Sequence, residues 1–233
     1  MSLLRGGIRS VEEKERDATM RVMDRMRRSP VSVNRSDTLH HALRTLETWK
    51  IRHLPVIEGD RLVGIVSDRD LKKAAPSPFD RDTAKEFVRF TSAVTVKEVM
   101  SKEVVTTSPH CPIEEAAALM FEKRIGALPV VQEGRLVGII TETDVLGVLT
   151  EMMGATKTAS RLEIEVPASP GVLTDVIRIL EGQQVEIASL VTLPAGEGAR
   201  RLLIMRLRTI NPDPVVRALA ERGYPQVVSE FVR

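Results

Sequence analysis

Apolar and polar positions follow two periods along this chain, and the places where the period changes mark its elements. Leu39, Ala42, Leu43 and Leu46 recur at helical spacing and predict a helix with one apolar stripe, preceded by the short apolar stretch Val31-Ser32-Val33. Leu54–Ile57 and Leu62–Val66 are runs rich in branched residues, separated by the turn residues Glu58-Gly59-Asp60, and predict a pair of strands. A second helix starts at Ser67 and carries Leu71. The same succession then returns. Val105-Thr106-Thr107 precedes a helix predicted to turn Ile113, Ala116, Ala117, Met120 and Phe121 inward. Strands follow around Glu133-Gly134, then a helix from Thr141 with Val145, Leu146, Val148 and Leu149.

The return is a duplication. A shift of 74 residues lays Met26–Leu71 on Met100–Val145 without a gap. Ile51-Arg52-His53-Leu54-Pro55-Val56-Ile57 falls on Ile125-Gly126-Ala127-Leu128-Pro129-Val130-Val131, Arg61–Ser67 falls on Arg135–Thr141, and Asp70 falls on Asp144. A repeat of this kind dictates architecture. Neither copy alone covers both faces of its small sheet, so the two are expected to pack together. The copies span 20–75 and 96–153, joined by a mixed-charge connecting segment, 76–95, that begins at Pro76-Ser77-Pro78; residues 1–19 are an N-terminal extension.

After a small-residue linker, 154–160, the pattern changes. Leu162-Glu163-Ile164-Glu165-Val166 alternates as a half-buried strand, and Pro170-Gly171 opens a helix with Val172, Leu173, Val176, Ile177 and Leu180 inward. Val185–Leu193 and Arg200–Arg208 read as a strand pair, a helix runs from Pro212 to Arg222, and Gln226–Val232 is a last strand. The order β-α-β-β-α-β over 161–233 is that of a ferredoxin-like unit. The predicted fold class is α+β: two small sheet-and-helix copies packed as a pseudo-symmetric pair, then this smaller unit.

Composition narrows the function. The chain is 42% hydrophobic and 28% charged with a formal net charge of +2, which argues against a general polyanion binder. No apolar run approaches the roughly 18 residues of a spanning helix, the first 19 residues lack a signal-peptide core, and a single cysteine excludes an internal disulfide. A cytoplasmic protein is the expectation, with no membrane and no nucleic acid among its partners. Charge is uneven: residues 20–75 hold 12 Lys/Arg against 7 Asp/Glu, while 96–153 hold 5 against 9. The first copy is therefore expected to be the better host for an anion.

The repeated hydrophobic-Pro-Val … Leu-Val-Gly-Ile-hydrophobic-Ser/Thr-x-x-Asp resembles the CBS domain, and its tandem occurrence resembles a Bateman module. Ala168-Ser169-Pro170-Gly171-Val172-Leu173, between strand and helix, resembles an ACT domain. The succession is similar to that of the acetoin-utilisation (AcuB) family, whose Met-x-Val-x-x-hydrophobic-Met start matches Met20–Met26. The resemblance implies a non-catalytic regulatory protein, a homodimer with an unidentified regulated partner. Its ligand would be an adenine nucleotide (AMP, ADP or ATP, with S-adenosylmethionine as a further candidate), with no intrinsic metal.

Ser67-x-x-Asp70 and Thr141-x-x-Asp144 each follow a strand and open a helix. Such a sequence is a capping box, and the same hydroxyl and carboxylate can meet a phosphate and a ribose. The CBS resemblance gives these positions those two roles. Arg69 and the pair Arg52-His53 add donors near the first copy's candidate site, where the second copy has Thr143, Gly126 and Ala127, so the Ser67/Asp70 site is expected to be the stronger. An apolar slot for adenine falls to Val31 and Pro55 with their equivalents Val105 and Pro129. In the ACT-like unit Ser169, Gly171 and Asp175 are candidate ligand contacts, beside a reading of Pro-Gly as a helix start.

Rival readings rest on thinner patterns. His110-Cys111 is the only pair with nucleophile chemistry, four histidines and one cysteine offer no zinc spacing, and the basic stretch Arg21, Arg25, Arg27, Arg28 and Arg35 lacks a helix-turn-helix pattern and reads as a solvated face. A regulator whose paired copies serve chiefly as a dimerisation scaffold is the alternative.

Overall fold

The computed structural model describes residues 20–75, 83–154, 159–196 and 198–227. The N-terminal extension, the Pro76-Ser77-Pro78 turn, most of the linker and the greater part of the expected last strand lie outside them. The chain divides into two compact units, one running to Val145 and the other from Leu146.

In the first unit each copy contributes the predicted elements. The first copy holds α1 (Val22–Arg25), β1 (Arg27–Arg28), β2 (Val33–Asn34), α2 (Leu39–Trp49), β3 (His53–Glu58), β4 (Arg61–Ser67) and α3 (Asp68–Ala74). Then come α4 (Thr83–Ala93), α5 (Val96–Val99), α6 (Ile113–Lys123), β5 (Ala127–Gln132), β6 (Arg135–Thr141) and α7 (Glu142–Met152). Within each copy the two long strands form an antiparallel pair in equivalent register, Pro55 opposite Ile65 and Pro129 opposite Ile139. The helix stripe packs on that pair: Leu39, Ala42 and Leu46 share a core with Leu54, Val56 and Val66.

The two copies are interlocked by exchange. β1 of the first copy pairs with β6 of the second, Arg27 opposite Ile139, and the equivalent Ser101 of the second copy bridges Ile65 on β4. The short helices exchange in the same sense: the Val22 amide donates to the Cys111 carbonyl, and the equivalent Val96 amide to the Asp37 carbonyl. These backbone bonds satisfy groups that would otherwise be stranded at element ends. The glycine of each Leu-Val-Gly-Ile run has a reason here: a Cβ on Gly64 would stand 2.5 Å from Met100 Sδ, and one on Gly138 2.6 Å from Met26 Sδ.

The connecting segment holds α4, which buries Thr91, whose hydroxyl donates to the Phe87 carbonyl (2.7 Å). Two expectations need correction. Phe121, assigned to the inward stripe of α6, is 88% exposed, because the helix buries Ile113, Ala116 and Met120 and position 121 lies about 100° further round. Leu173 is likewise exposed, the second unit's first helix burying Val176 and Leu180 instead.

The second unit contains β7 (Ser160–Pro167), α8 (Val172–Gly182), β8 (Ile187–Pro194), β9 (Arg200–Leu207) and α9 (Asp213–Glu221). Its antiparallel sheet has the order β7-β9-β8, and Gln226 bridges Ile164 on β7. Both helices share one core with that sheet, formed by Leu162, Ile164, Met205, Leu207, Val176, Leu180, Val215 and Leu219. Elements thus follow in the order β-α-β-β-α.

Candidate functional site

Each β-rich copy ends a strand with a hydroxyl residue that caps the next helix. Asp70 Oδ2 accepts from the Ser67 amide (3.0 Å) and from Ser67 Oγ (2.6 Å), while the Asp70 amide donates to Ser67 Oγ at 3.2 Å. The second copy repeats the box: Asp144 Oδ2 accepts from the Thr141 amide (2.9 Å) and Oγ1 (2.7 Å), and the Asp144 amide donates back at 3.4 Å. Both hydroxyls and both carboxylates are half-engaged in capping, and each residue also faces a cavity.

Two cavities lie between the copies. The larger, about 480 Å³, joins Ser67, Arg69 and Asp70 of the first copy to Val105, Gly126 and Ala127 of the second. The smaller, about 200 Å³, joins Thr141, Thr143 and Asp144 of the second copy to Val31, Arg52 and His53 of the first. A shift of 74 residues turns one set into the other: Ser67 into Thr141, Arg69 into Thr143, Val31 into Val105, Arg52 into Gly126, His53 into Ala127. They are the two pseudo-equivalent clefts of the duplication, each built from the helix start of one copy and the strand entrance of the other.

Arg52 and His53 line the cleft of Ser67 and Asp70 and also, by the equivalence of the copies, that of Thr141 and Asp144. Gly126 leaves room for the His53 ring: a Cβ there would lie 3.2 Å from His53 Cε1. Burial, and then the Arg52 charge, hold the His53 imidazole below its ordinary pKa, against the opposing pull of Asp68, Glu142 and Asp70. The balance favours the neutral imidazole. Of the residues expected to form the adenine slot, Val105 lines the larger cleft and Val31 the smaller, while Pro55 and Pro129 are buried within β3 and β5 and line neither. Lys50, Ser101, Glu103 and Glu142 line the clefts without having been singled out from sequence, and Arg27 and Arg124, read from sequence as solvated cations, line them too. The equivalence of Arg27 with Ser101 and of Lys50 with Arg124 under the 74-residue shift was the available signal.

A wider hollow of about 820 Å³ lies between the first copy and α4, lined by Leu43, Leu46 and Ile51 of the copy and Phe87 of α4 among others. It touches neither capping hydroxyl. Ser169, Gly171 and Asp175 are exposed and line none of the three cavities; Gly171 has a φ of +89°, and its carbonyl accepts from the Asp175 amide at 2.9 Å. Among the described residues no three His, Cys, Asp or Glu side chains are grouped to hold a metal ion, and no helix is long and apolar enough to cross a membrane.

The CBS domain model matches residues 21–77 and 96–151. A CBS domain-containing protein of Dictyostelium discoideum is 35% identical over 130 residues, 55% of this chain and 90% of the relative. The chain belongs to the CBS-domain family. Its CBS pair is also 38% identical, over 118 residues, to inosine-5′-monophosphate dehydrogenase of Methanocaldococcus jannaschii, but that stretch is 50% of this chain and only 21% of the enzyme. Among solved structures, an acetoin utilization protein (AcuB) of Vibrio cholerae is similar at 32% identity and a TM-score of 0.49, covering 59% of this chain and 96% of that one. A CBS domain pair crystallised with 5′-methylthioadenosine and S-adenosyl-L-methionine is similar at 25% identity and a TM-score of 0.48, covering 60% and 99%. These matches cover the CBS pair.

Proposed function

We propose that this protein is a non-catalytic regulator that binds an adenine nucleotide in the clefts between its two CBS copies. One observation carries the reading: two cavities, related position by position through the duplication, each bring a Ser/Thr-x-x-Asp helix start of one copy against the strand entrance of the other. A ligand in either cleft touches both copies, so its binding energy depends on their relative orientation and shifts the population toward one arrangement. α7 starts at the Thr141 cap, and its last residues belong to the second unit, so the chain passes from one cleft directly into that unit. The β-α-β-β-α order and the Pro170-Gly171 helix start support an ACT-like reading of the second unit, which would transmit the state to a partner or a dimer interface.

Calorimetry with AMP, ADP, ATP and S-adenosylmethionine, repeated on Asp70→Ala and Asp144→Ala, tests the reading. At least one adenylate should bind, and at least one substitution should weaken it about tenfold or more, the worth of a hydrogen bond to a charged group. No binding by any of the four would leave the scaffold reading instead.

A further inference from the structure

Counted copy by copy, the basic residues favour the first copy as anion host; the folded clefts distribute them otherwise. The exchange of strand entrances delivers first-copy cations to the cleft capped by the second copy. The smaller cleft is lined by Arg27, Lys50 and Arg52, with Asp144 as the only carboxylate among the described residues that line it. No ion pair among the described residues engages those three cations, and the Asp144 carboxylate is already accepting two hydrogen bonds in its own cap. The larger cleft is lined by three cations, Arg52, Arg69 and Arg124, against four carboxylates. Of these, Asp70 is bound in its cap and Asp68 is paired with Lys72 at 3.5 Å, which leaves Glu103 and Glu142 facing the space with no ion-pair partner among the described residues.

A phosphate monoester carries about −1.5 to −2 charges at pH 7. Two extra carboxylates lining a cleft repel such a group, and at the effective dielectric of a protein surface that repulsion is far stronger than in bulk water. Volume points the same way. About 200 Å³ is less than the roughly 300 Å³ at the lower end of pockets that engulf a whole small molecule, whereas about 480 Å³ falls within that range.

We infer that the two clefts sort ligands by charge: the Thr141/Asp144 cleft selects the phosphoryl group of an adenine nucleotide, and the Ser67/Asp70 cleft selects an adenosine derivative without net negative charge. This rests on the adenylate reading above and reverses the order of anion affinity that charge along the chain suggests. Arg27 and Glu103 are the discriminating positions, because the shift of 74 residues places serine opposite each of them, Ser101 and Ser29.

The test is calorimetry on the full chain with adenosine, AMP, ATP and S-adenosylmethionine, comparing wild type with Arg27→Gln and with Glu103→Gln/Glu142→Gln. Arg27 lies in an exposed two-residue strand, so its substitution leaves the fold intact, checked by an unchanged unfolding midpoint. Arg27→Gln should weaken AMP and ATP about tenfold, from loss of a charge-assisted hydrogen bond, and leave adenosine and S-adenosylmethionine unchanged. The double substitution should weaken S-adenosylmethionine and raise the number of AMP molecules bound. If Ser67→Ala weakens AMP while Arg27→Gln does not, the phosphate belongs to the larger cleft, and the sorting is overturned while the adenylate reading stands. If none of the four ligands binds wild type, the adenylate reading fails, and the sorting with it.

Discussion

The His53 ring lies against Gly126, where the second copy has no side chain to offer: a Cβ at position 126 would stand 3.2 Å from His53 Cε1 and 3.4 Å from Glu142 Oε2. Glycine here is the second copy's counterpart of Arg52, and its missing side chain leaves room for the His53 ring, which borders both clefts. Gly126→Val should therefore crowd the ring and narrow the larger cleft. The expected cost is about 1–3 kcal/mol of stability, as for overpacking elsewhere, with weakened binding in that cleft. Denaturant midpoints and calorimetry measure the two effects.

Protonation of His53 should cost stability. Its folded pKa is lowered, by burial and by Arg52, from the ordinary 6.5. The unfolded chain then takes up the proton at a higher pH than the folded one. The stabilisation is complete above about pH 6.5 and declines as pH falls from there toward the folded value. His53→Gln should flatten the decline in urea midpoint over that window, whereas an unchanged profile would assign the proton elsewhere.

Gly64→Ala and Gly138→Ala should each destabilise by about 1–3 kcal/mol, because the new methyl meets Met100 Sδ or Met26 Sδ across the copy interface. Combining Gly64→Ala with Met100→Ala should cost less than the sum of the two single changes, a coupling expected of residues in contact. Additive midpoints would show that the methionine moves aside freely.

Phe121→Ser should shift stability by no more than about 0.5 kcal/mol, since the ring is 88% exposed, whereas Leu128→Ala, at a fully buried position, should cost about 2–5 kcal/mol. Thermal or urea unfolding of the two variants side by side checks the contrast.

On the acid side, the Thr95 amide and hydroxyl both donate to Glu98 Oε1 (2.8 and 2.7 Å), which holds the Glu98 carboxyl below its ordinary pKa. A lowered carboxylate contributes stability that is present above about pH 4.5 and lost as pH falls through the folded value. Glu98→Gln should remove that increment of acid sensitivity, read as a smaller loss of midpoint between neutral and acid pH.

Periodicity, turn residues and the 74-residue repeat were enough to place β3 to α3 and β5 to α7, together with both Ser/Thr-x-x-Asp caps, because each depends on neighbours within a few residues. Phe121 shows where that reasoning slips: hydrophobicity alone drew it into the stripe, although the repeat aligns it with Glu47, a polar position on the matching helix face. The helix Thr83–Ala93 was missed although Ala84, Phe87 and Val88 stand at helical spacing, because the mixed charge of the segment was read as a connection and the next position of that stripe is a threonine, Thr91, which the fold buries.

The sequence by itself thus determined that the chain holds two equivalent copies and a different unit after them, and which hydroxyls and carboxylates open the helices. Only the tertiary structure decided which residues share a cleft. The strand entrances cross between copies, so Arg27 meets β6 and Ser101 meets β4. Charge counted along each copy is therefore not the charge that lines each cleft. A cleft's electrostatics depends on distances through space, and those are set by which backbone pairs with which.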